Sequence, residues 1–241
     1  MAHPIVHTEI QVRDGKSAVK WYAEVFGWDT AYTEELKYGT FKAGEHGGGF
    51  STTDQATGTW PYIGVDDIPG KLKQIAGAGG KVMMEETPIP GIGAFGVFGD
   101  PDGNVVGLFK ESTPPQATED KAIPNPLVHI EFSVTDPQKA IAWYRDLFNW
   151  NTSYDEKLSY GMFSTGEGEL GGGFAQRPDG PSGIVPYMAV EDVDGMTAKA
   201  KQHGAKVVQE PFDIPTVGRM SLVSDPDGNV LGLINMPGDS N

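Results

Sequence analysis

The sequence predicts an α+β chain built twice over. Each half carries two βαβββ modules, whose eight strands form one curved mixed sheet with helices on one face and a cavity on the other. Three observations carry this expectation. Val6 to Gly44 aligns with Val128 to Gly166 at an offset of 122, with 18 of 39 positions identical, and Pro61 to Phe109 aligns with Pro186 to Ile234 at an offset of 125, with 20 of 49 identical. Strand and helix periodicities alternate in the same order in both halves. The run Asp-Pro-Asp-Gly-Asn recurs at Asp100 to Asn104 and Asp225 to Asn229, a hairpin signal because glycine accepts the positive φ that other residues resist.

In chain order, Pro4 to Val12 reads as a strand, and Asp14 caps a helix with Ala18, Tyr22, Val25 and Phe26 on one face. The second copy places Asp136-Pro137 before Ala140, Tyr144, Leu147 and Phe148, with proline at the first helical position. Three strands follow at Trp28 to Glu34, Tyr38 to Ala43 and Gly48 to Thr52. The second module repeats the pattern: a strand at Trp60 to Val65, a helix at Pro69 to Ala78, and strands at Lys81 to Glu86, Ala94 to Phe98 and Asn104 to Lys110. Glu111 to Pro126 holds four prolines and few large apolar residues, so it is read as a stiff linker between domains at 1–110 and 127–241. The offset change near residue 180 marks a loop insertion.

The chain has no Cys, which removes disulfides, thiolate metal sites and cysteine nucleophiles and fits a reducing compartment. A formal charge of -15 opposes binding to nucleic acid or anionic lipid. Met1 to Gln11 lacks the basic and apolar regions of a secretory signal, so a cytoplasmic location is expected.

Val-His-Thr-Glu-Ile-Gln-Val at the first strand, Trp-Tyr-x-x-x-Phe-Gly-Trp over Trp21 to Trp28, Pro-Tyr-Ile-Gly-Val-Asp-Asp-Ile over Pro61 to Ile68, and the Asp-Pro-Asp-Gly-Asn hairpin occur in that order. This set resembles the vicinal oxygen chelate superfamily, the glyoxalase, bleomycin-resistance and extradiol-dioxygenase group, and is most similar to bacterial proteins with two such domains in tandem. The resemblance implies a divalent metal held by side chains from the first, fourth, fifth and eighth strands. Carried over, the first-strand ligand is His7 or His129. The fifth-strand position falls on Trp60 or Val185, the eighth-strand Glu is replaced by Gly107 or Gly232, and the fourth strand offers only Gly48, Gly49 and Phe50, or Gly172, Gly173 and Phe174. A stable site normally needs at least three protein ligands, so a divalent metal is disfavoured and no cofactor is expected.

Strand alternation puts His7, Glu9 and Gln11 on one face and Val6, Ile10 and Val12 on the other, with His129, Glu131 and Ser133 opposed in the same way to Val128, Ile130, Phe132 and Val134. His7, Glu9, His129 and Glu131 are therefore the candidate catalytic groups. Each His reads first as a satisfied structural group, next as a ligand-contacting or acid/base group, and last as a metal ligand. Phe50, Trp60, Tyr62 and Gly107, with Phe174, Val185, Tyr187 and Gly232, are the candidate ligand-binding residues; Tyr38 and Tyr160 are further pocket candidates. Trp21, Tyr22, Phe26 and their copies are expected in the core, and His3, His46 and His203 at the surface.

The function expected is binding of small organic molecules in two metal-free pockets, in the manner of bleomycin-resistance proteins. The alternative is a glyoxalase-like lyase or isomerase that uses His7 or His129 with the neighbouring Glu, with or without a divalent metal. An extradiol dioxygenase is disfavoured because its iron needs two His and one carboxylate. A monomer is preferred over a homodimer, since two domains in one chain supply the pairing that single-domain relatives gain by dimerising.

Overall fold

The computed structural model describes residues 2–54, 58–112, 122–177 and 183–236. The expected insertion near residue 180 and most of the expected linker, residues 113–121, lie outside the described residues. The first repeat runs β1 (Ile5–Val12), α1 (Gly15–Phe26), β2 (Asp29–Thr33), β3 (Tyr38–Ala43), β4 (His46–Thr52), β5 (Gly58–Gly64), α2 (Ile68–Gly77), β6 (Lys81–Ile89), β7 (Gly93–Gly99) and β8 (Val105–Glu111). The second runs β9 (Leu127–Val134), α3 (Pro137–Phe148), β10 (Asn151–Asp155), β11 (Tyr160–Ser164), β12 (Gly171–Gln176), β13 (Ile184–Ala189), α4 (Val193–Gln202), β14 (Lys206–Ile214), β15 (Gly218–Ser224) and β16 (Val230–Asn235).

The strands form two eight-stranded sheets in the orders β2-β3-β4-β1-β5-β8-β7-β6 and β10-β11-β12-β9-β13-β16-β15-β14. Both are mixed: β5–β8 and β13–β16 pair parallel, whereas the hairpin strands pair antiparallel. The predicted α+β class and its βαβββ modules are the observed ones.

Local chemistry explains the element ends. Each helix starts at an aspartate whose carboxylate accepts a backbone N–H of the first turn: Asp14 from Lys16, Asp67 from Gly70, Asp136 from Gln138 and Lys139, and Asp192 from Gly195. Helix α1 ends on Gly27 at φ 72, and α3 ends on Asn149 at φ 56, two residue types that tolerate the left-handed cap.

Packing gathers the modules into two compact units that cut across the repeats. One comprises Met1–Thr8, Trp60–Asp120 and Ile130–Ile184; the other comprises Glu9–Thr59, Lys121–His129 and Val185–Asn241. Each unit thus draws modules from both repeats. In the first, Tyr144, Phe148 and Phe163 pack around Trp150, whose indole N–H donates to His3 O at 2.7 Å, and Phe174 packs on Tyr144 and Phe163. In the second, Trp28 stacks on Tyr22 and Phe41 and donates to Asn125 O at 2.9 Å. His3 is accordingly a half-buried structural group rather than a surface residue, its Nδ1 lying 3.0 Å from Gly64 O.

The Asp-Pro-Asp-Gly-Asn hairpins fasten the modules of each unit. In the first unit the Asp100 carboxylate accepts from Asn104 Nδ2 and from the buried Tyr144 hydroxyl. Asn104 Nδ2 also donates to Ser133 O, and its Oδ1 accepts from Gly183 N. The second unit repeats the network with Asp225, Tyr22, Asn229, Gln11 O and Gly58 N. Burial pushes the Asp100 and Asp225 carboxyls above the usual range, and burial holds the Tyr22 and Tyr144 hydroxyls protonated as donors. Asn104→Ala should cost about 2–4 kcal/mol, because it takes one donor from the buried Asp100 carboxylate and leaves the Ser133 carbonyl and the Gly183 N–H without their side-chain partner. Urea denaturation with exposed Asn151→Ala as control, expected within about 0.5 kcal/mol of wild type, checks this.

Candidate functional site

Helix packing fixes which strand faces carry the candidates. In the unit holding Glu9, a side chain on Gly39 would meet Val19 of α1, so Gly39, Phe41 and Ala43 face the helix and Tyr38 points the other way. Glu9 and Gln11 share that other face. The Glu9 carboxylate accepts from Gln11 Nε2 at 2.6 Å and from the Tyr38 hydroxyl at 3.3 Å. The Tyr38 phenol occupies the space a side chain on Gly49 would need. The second repeat builds the same arrangement in the other unit, with Tyr160 over Gly173 and its hydroxyl donating to Glu131 at 3.1 Å. Here Ser133 stands in place of Gln11, and Arg177 Nη2 lies 3.4 Å from Glu131 Oε1.

The histidines form a second motif. His7 meets the Tyr62 ring edge-on at 5.7 Å between centroids, and His129 meets Tyr187 at 5.6 Å. Tyr62 stands opposite Gly107 in the parallel β5–β8 pair, and Tyr187 stands opposite Gly232 in β13–β16. In both, the ring fills the volume into which a side chain on the glycine would project. Tyr62 also approaches Phe95 at 6.4 Å, while Tyr187 joins Val185, Met220 and Ile234 in a buried apolar cluster. Burial lowers both imidazoles to about 4, so they are neutral at physiological pH.

His7 and Glu9 fall in different compact units, as do His129 and Glu131. Each motif therefore stands with its own partners: Tyr62, Gly107 and Tyr187, Gly232 with the histidines, and Tyr38 and Tyr160 with the carboxylates. Trp60 is half-buried on β5, and Val185 lies in the apolar cluster. Phe50 and Phe174 are corrections. Their rings pack against Tyr22 and Phe41, and against Phe132 and Tyr144, fully buried under the helices instead of facing a ligand. Val6, expected beneath the helix with Ile10, is 38% exposed and packs beside Gly64; Thr8 is fully buried. Arg177 escaped the sequence reading, because it lies where the repeats lose register beside an insertion. Gly49 and Gly173 were legible as vacated ligand positions, but not as seats for a phenol.

The donor set does not fit the divalent metal that the resemblance implies. Among the described residues, no three His, Asp or Glu side chains converge as a metal site would require. At Gly107 and Gly232, where a ligand carboxylate would be needed, a tyrosine ring already occupies the room.

Two eight-stranded mixed sheets built from paired βαβββ modules define the fold class, and sequence comparison identifies it. The Glyoxalase/Bleomycin resistance protein/Dioxygenase superfamily profile matches residues 4–108 and 127–233, and the chain belongs to that superfamily. It is 29% identical to the putative glyoxylase CFP32 of Mycobacterium tuberculosis, over 94% of this chain and 92% of that protein. Its fold is similar to the Mn(II)-bound glyoxalase from Novosphingobium aromaticivorans, with a TM-score of 0.69 at 17% identity over 98% of this chain and 83% of that one. It is likewise similar to the 2,3-dioxygenase LapB from Pseudomonas sp. KL28, with a TM-score of 0.69 at 14% identity over 100% and 96%.

Two outcomes follow. Gly107→Ala should destabilise by about 1–3 kcal/mol through overpacking against Tyr62, and Tyr62→Ala in the same chain should remove most of that penalty; thermal denaturation of the three variants checks it. The lowered histidines make stability fall as pH drops from about 6.5 to about 4, because the unfolded chain takes up protons that folded His7 and His129 refuse. Above and below that window they add no slope. NMR titration of the two imidazoles, with His7→Phe and His129→Phe flattening the stability profile, measures it.

Proposed function

We propose that this chain binds small organic molecules at sites that work without a metal ion, as a glyoxalase and bleomycin-resistance relative with a degenerate metal centre. The observation that carries the reading is the tyrosine ring seated on the glycine at Gly107 and at Gly232. An aromatic ring replaces the carboxylate that a metal would need, and the neutral imidazole beside it can donate or accept one hydrogen bond. The apolar cluster around Tyr187 favours a ligand with an apolar body. The absence of Cys supports a cytoplasmic setting, and the pairing of modules from both repeats within each unit supports a monomer.

A second reading is a lyase or isomerase. It is favoured by the carboxylates of Glu9 and Glu131, each hydrogen-bonded by a tyrosine, since such a pair can move a proton to and from a substrate carbon. The similarity to the putative glyoxylase points the same way.

Metal analysis of protein purified without chelators should give well under one equivalent of Ni, Zn, Fe or Mn per repeat. Stoichiometric metal that disappears in His7→Ala and His129→Ala would reverse the ranking. A thermal-shift screen of aromatic and 2-oxo compounds, followed by turnover assays on the hits, separates the readings. Stabilisation without conversion supports binding, and conversion abolished by Glu9→Gln and Glu131→Gln supports the enzyme.

A further inference from the structure

The two repeats are not equivalent around their carboxylates. In the second, Arg177 follows β12 and reaches Glu131 through one long contact of 3.4 Å, with its side chain 42% exposed. A guanidinium has five N–H donors in a planar fork. Among the described residues its side-chain hydrogen bond is Nη2 to Glu131, and the exposed guanidinium has further N–H donors with which to meet a planar anion. The alignment puts Thr53 at this place in the first repeat; Thr53 N donates to Val12 O as Arg177 N donates to Val134 O.

A second difference lies beside it. Gly161 of β11 packs against Ile141 of α3, so Tyr160 and Met162 face away from the helix. Met162 pairs in register with Gly173, the glycine under the Tyr160 phenol, and is 43% exposed. Thr40 occupies that place opposite Gly49 in the first repeat. The second repeat therefore carries an exposed thioether on the same strand face as Tyr160, and a cation just past β12, where the first repeat has two threonines.

We infer that the Glu131–Tyr160 site takes an organic carboxylate, with Arg177 pairing its carboxylate group and Met162 and Tyr160 packing its apolar body. The first repeat, with Thr53 and Thr40, does not favour such a ligand. Planar carboxylates match the guanidinium fork with two parallel hydrogen bonds, and thioethers pack favourably on aromatic edges. This rests on the metal-free binding reading above, and it names the ligand class for one of the two repeats.

Benzoate and benzamide share a ring and differ in charge. Protein-observed NMR titration of the intact chain with each should show benzoate binding at least about tenfold tighter. Its shifts should fall on the Arg177 Nε–H signal, the Met162 methyl and Tyr160. Arg177→Gln should erase the preference for benzoate, and Arg177→Lys, which keeps the charge but not the planar fork, should retain part of it. Met162→Thr should weaken both probes alike. Equal affinities in the wild type, a preference that survives Arg177→Gln, benzoate shifts confined to the first repeat, or binding of neither probe would each overturn the inference. The metal content and the wider ligand screen would still decide the broader reading on their own.

Discussion

Tyr62 and Gly107 face each other in a parallel strand pair, and the ring takes the volume that any side chain at 107 would need. The same holds for Tyr187 and Gly232. A ring seated on backbone must shift before a neighbouring Cβ can be admitted, which costs packing. The tyrosine and a metal-binding carboxylate at this position are thus mutually exclusive occupants. The carboxylates carry a related arrangement, in which Gly49 and Gly173 make room for phenols whose hydroxyls donate to Glu9 and Glu131. Four glycines in all act by what they admit, and the polar groups of the site are oriented by the rings they admit.

The strands bearing these groups are held from outside the site. Asn229 binds the carbonyl of Gln11, the residue whose amide contacts Glu9, and Asn104 binds the carbonyl of Ser133, two residues past Glu131. Each asparagine sits in a hairpin from the other repeat, anchored by a buried aspartate and tyrosine. Fixing a backbone carbonyl next to a functional side chain limits its rotation at no cost in local flexibility elsewhere. The duplication is therefore more than two copies in series, since each unit needs modules from both.

Much of the fold was legible because its signals are local. The aspartates at 14 and 136, the proline at 137 and the alternating apolar residues marked the first helix of each repeat and most strands, and the repeat at offsets 122 and 125 doubled each signal. The vacated ligand positions were legible too, since a glycine or tryptophan cannot coordinate. What filled them was not, because the ring over Gly107 depends on the β5–β8 register between residues 45 apart in sequence. Phe50 and Phe174 were misplaced because a run of three glycines gives no alternation from which to read a face. The hairpin motif announced a turn, while its asparagine's grip on a distant module depends on tertiary contacts alone.

The family resemblance implies a metal ligand at Gly107 and Gly232, and tyrosine rings fill the volume beside both glycines. The proposed metal-free binding rests on one geometric claim. The chemical shifts of the Gly107 and Gly232 α-protons test it most directly, because a proton pointing into the face of an aromatic ring is strongly shielded. The account predicts both well upfield of the other sheet glycines, returning to the ordinary range in Tyr62→Leu and Tyr187→Leu. Ordinary shifts in the wild type, or selective broadening of these signals by substoichiometric Mn(II), would contradict it.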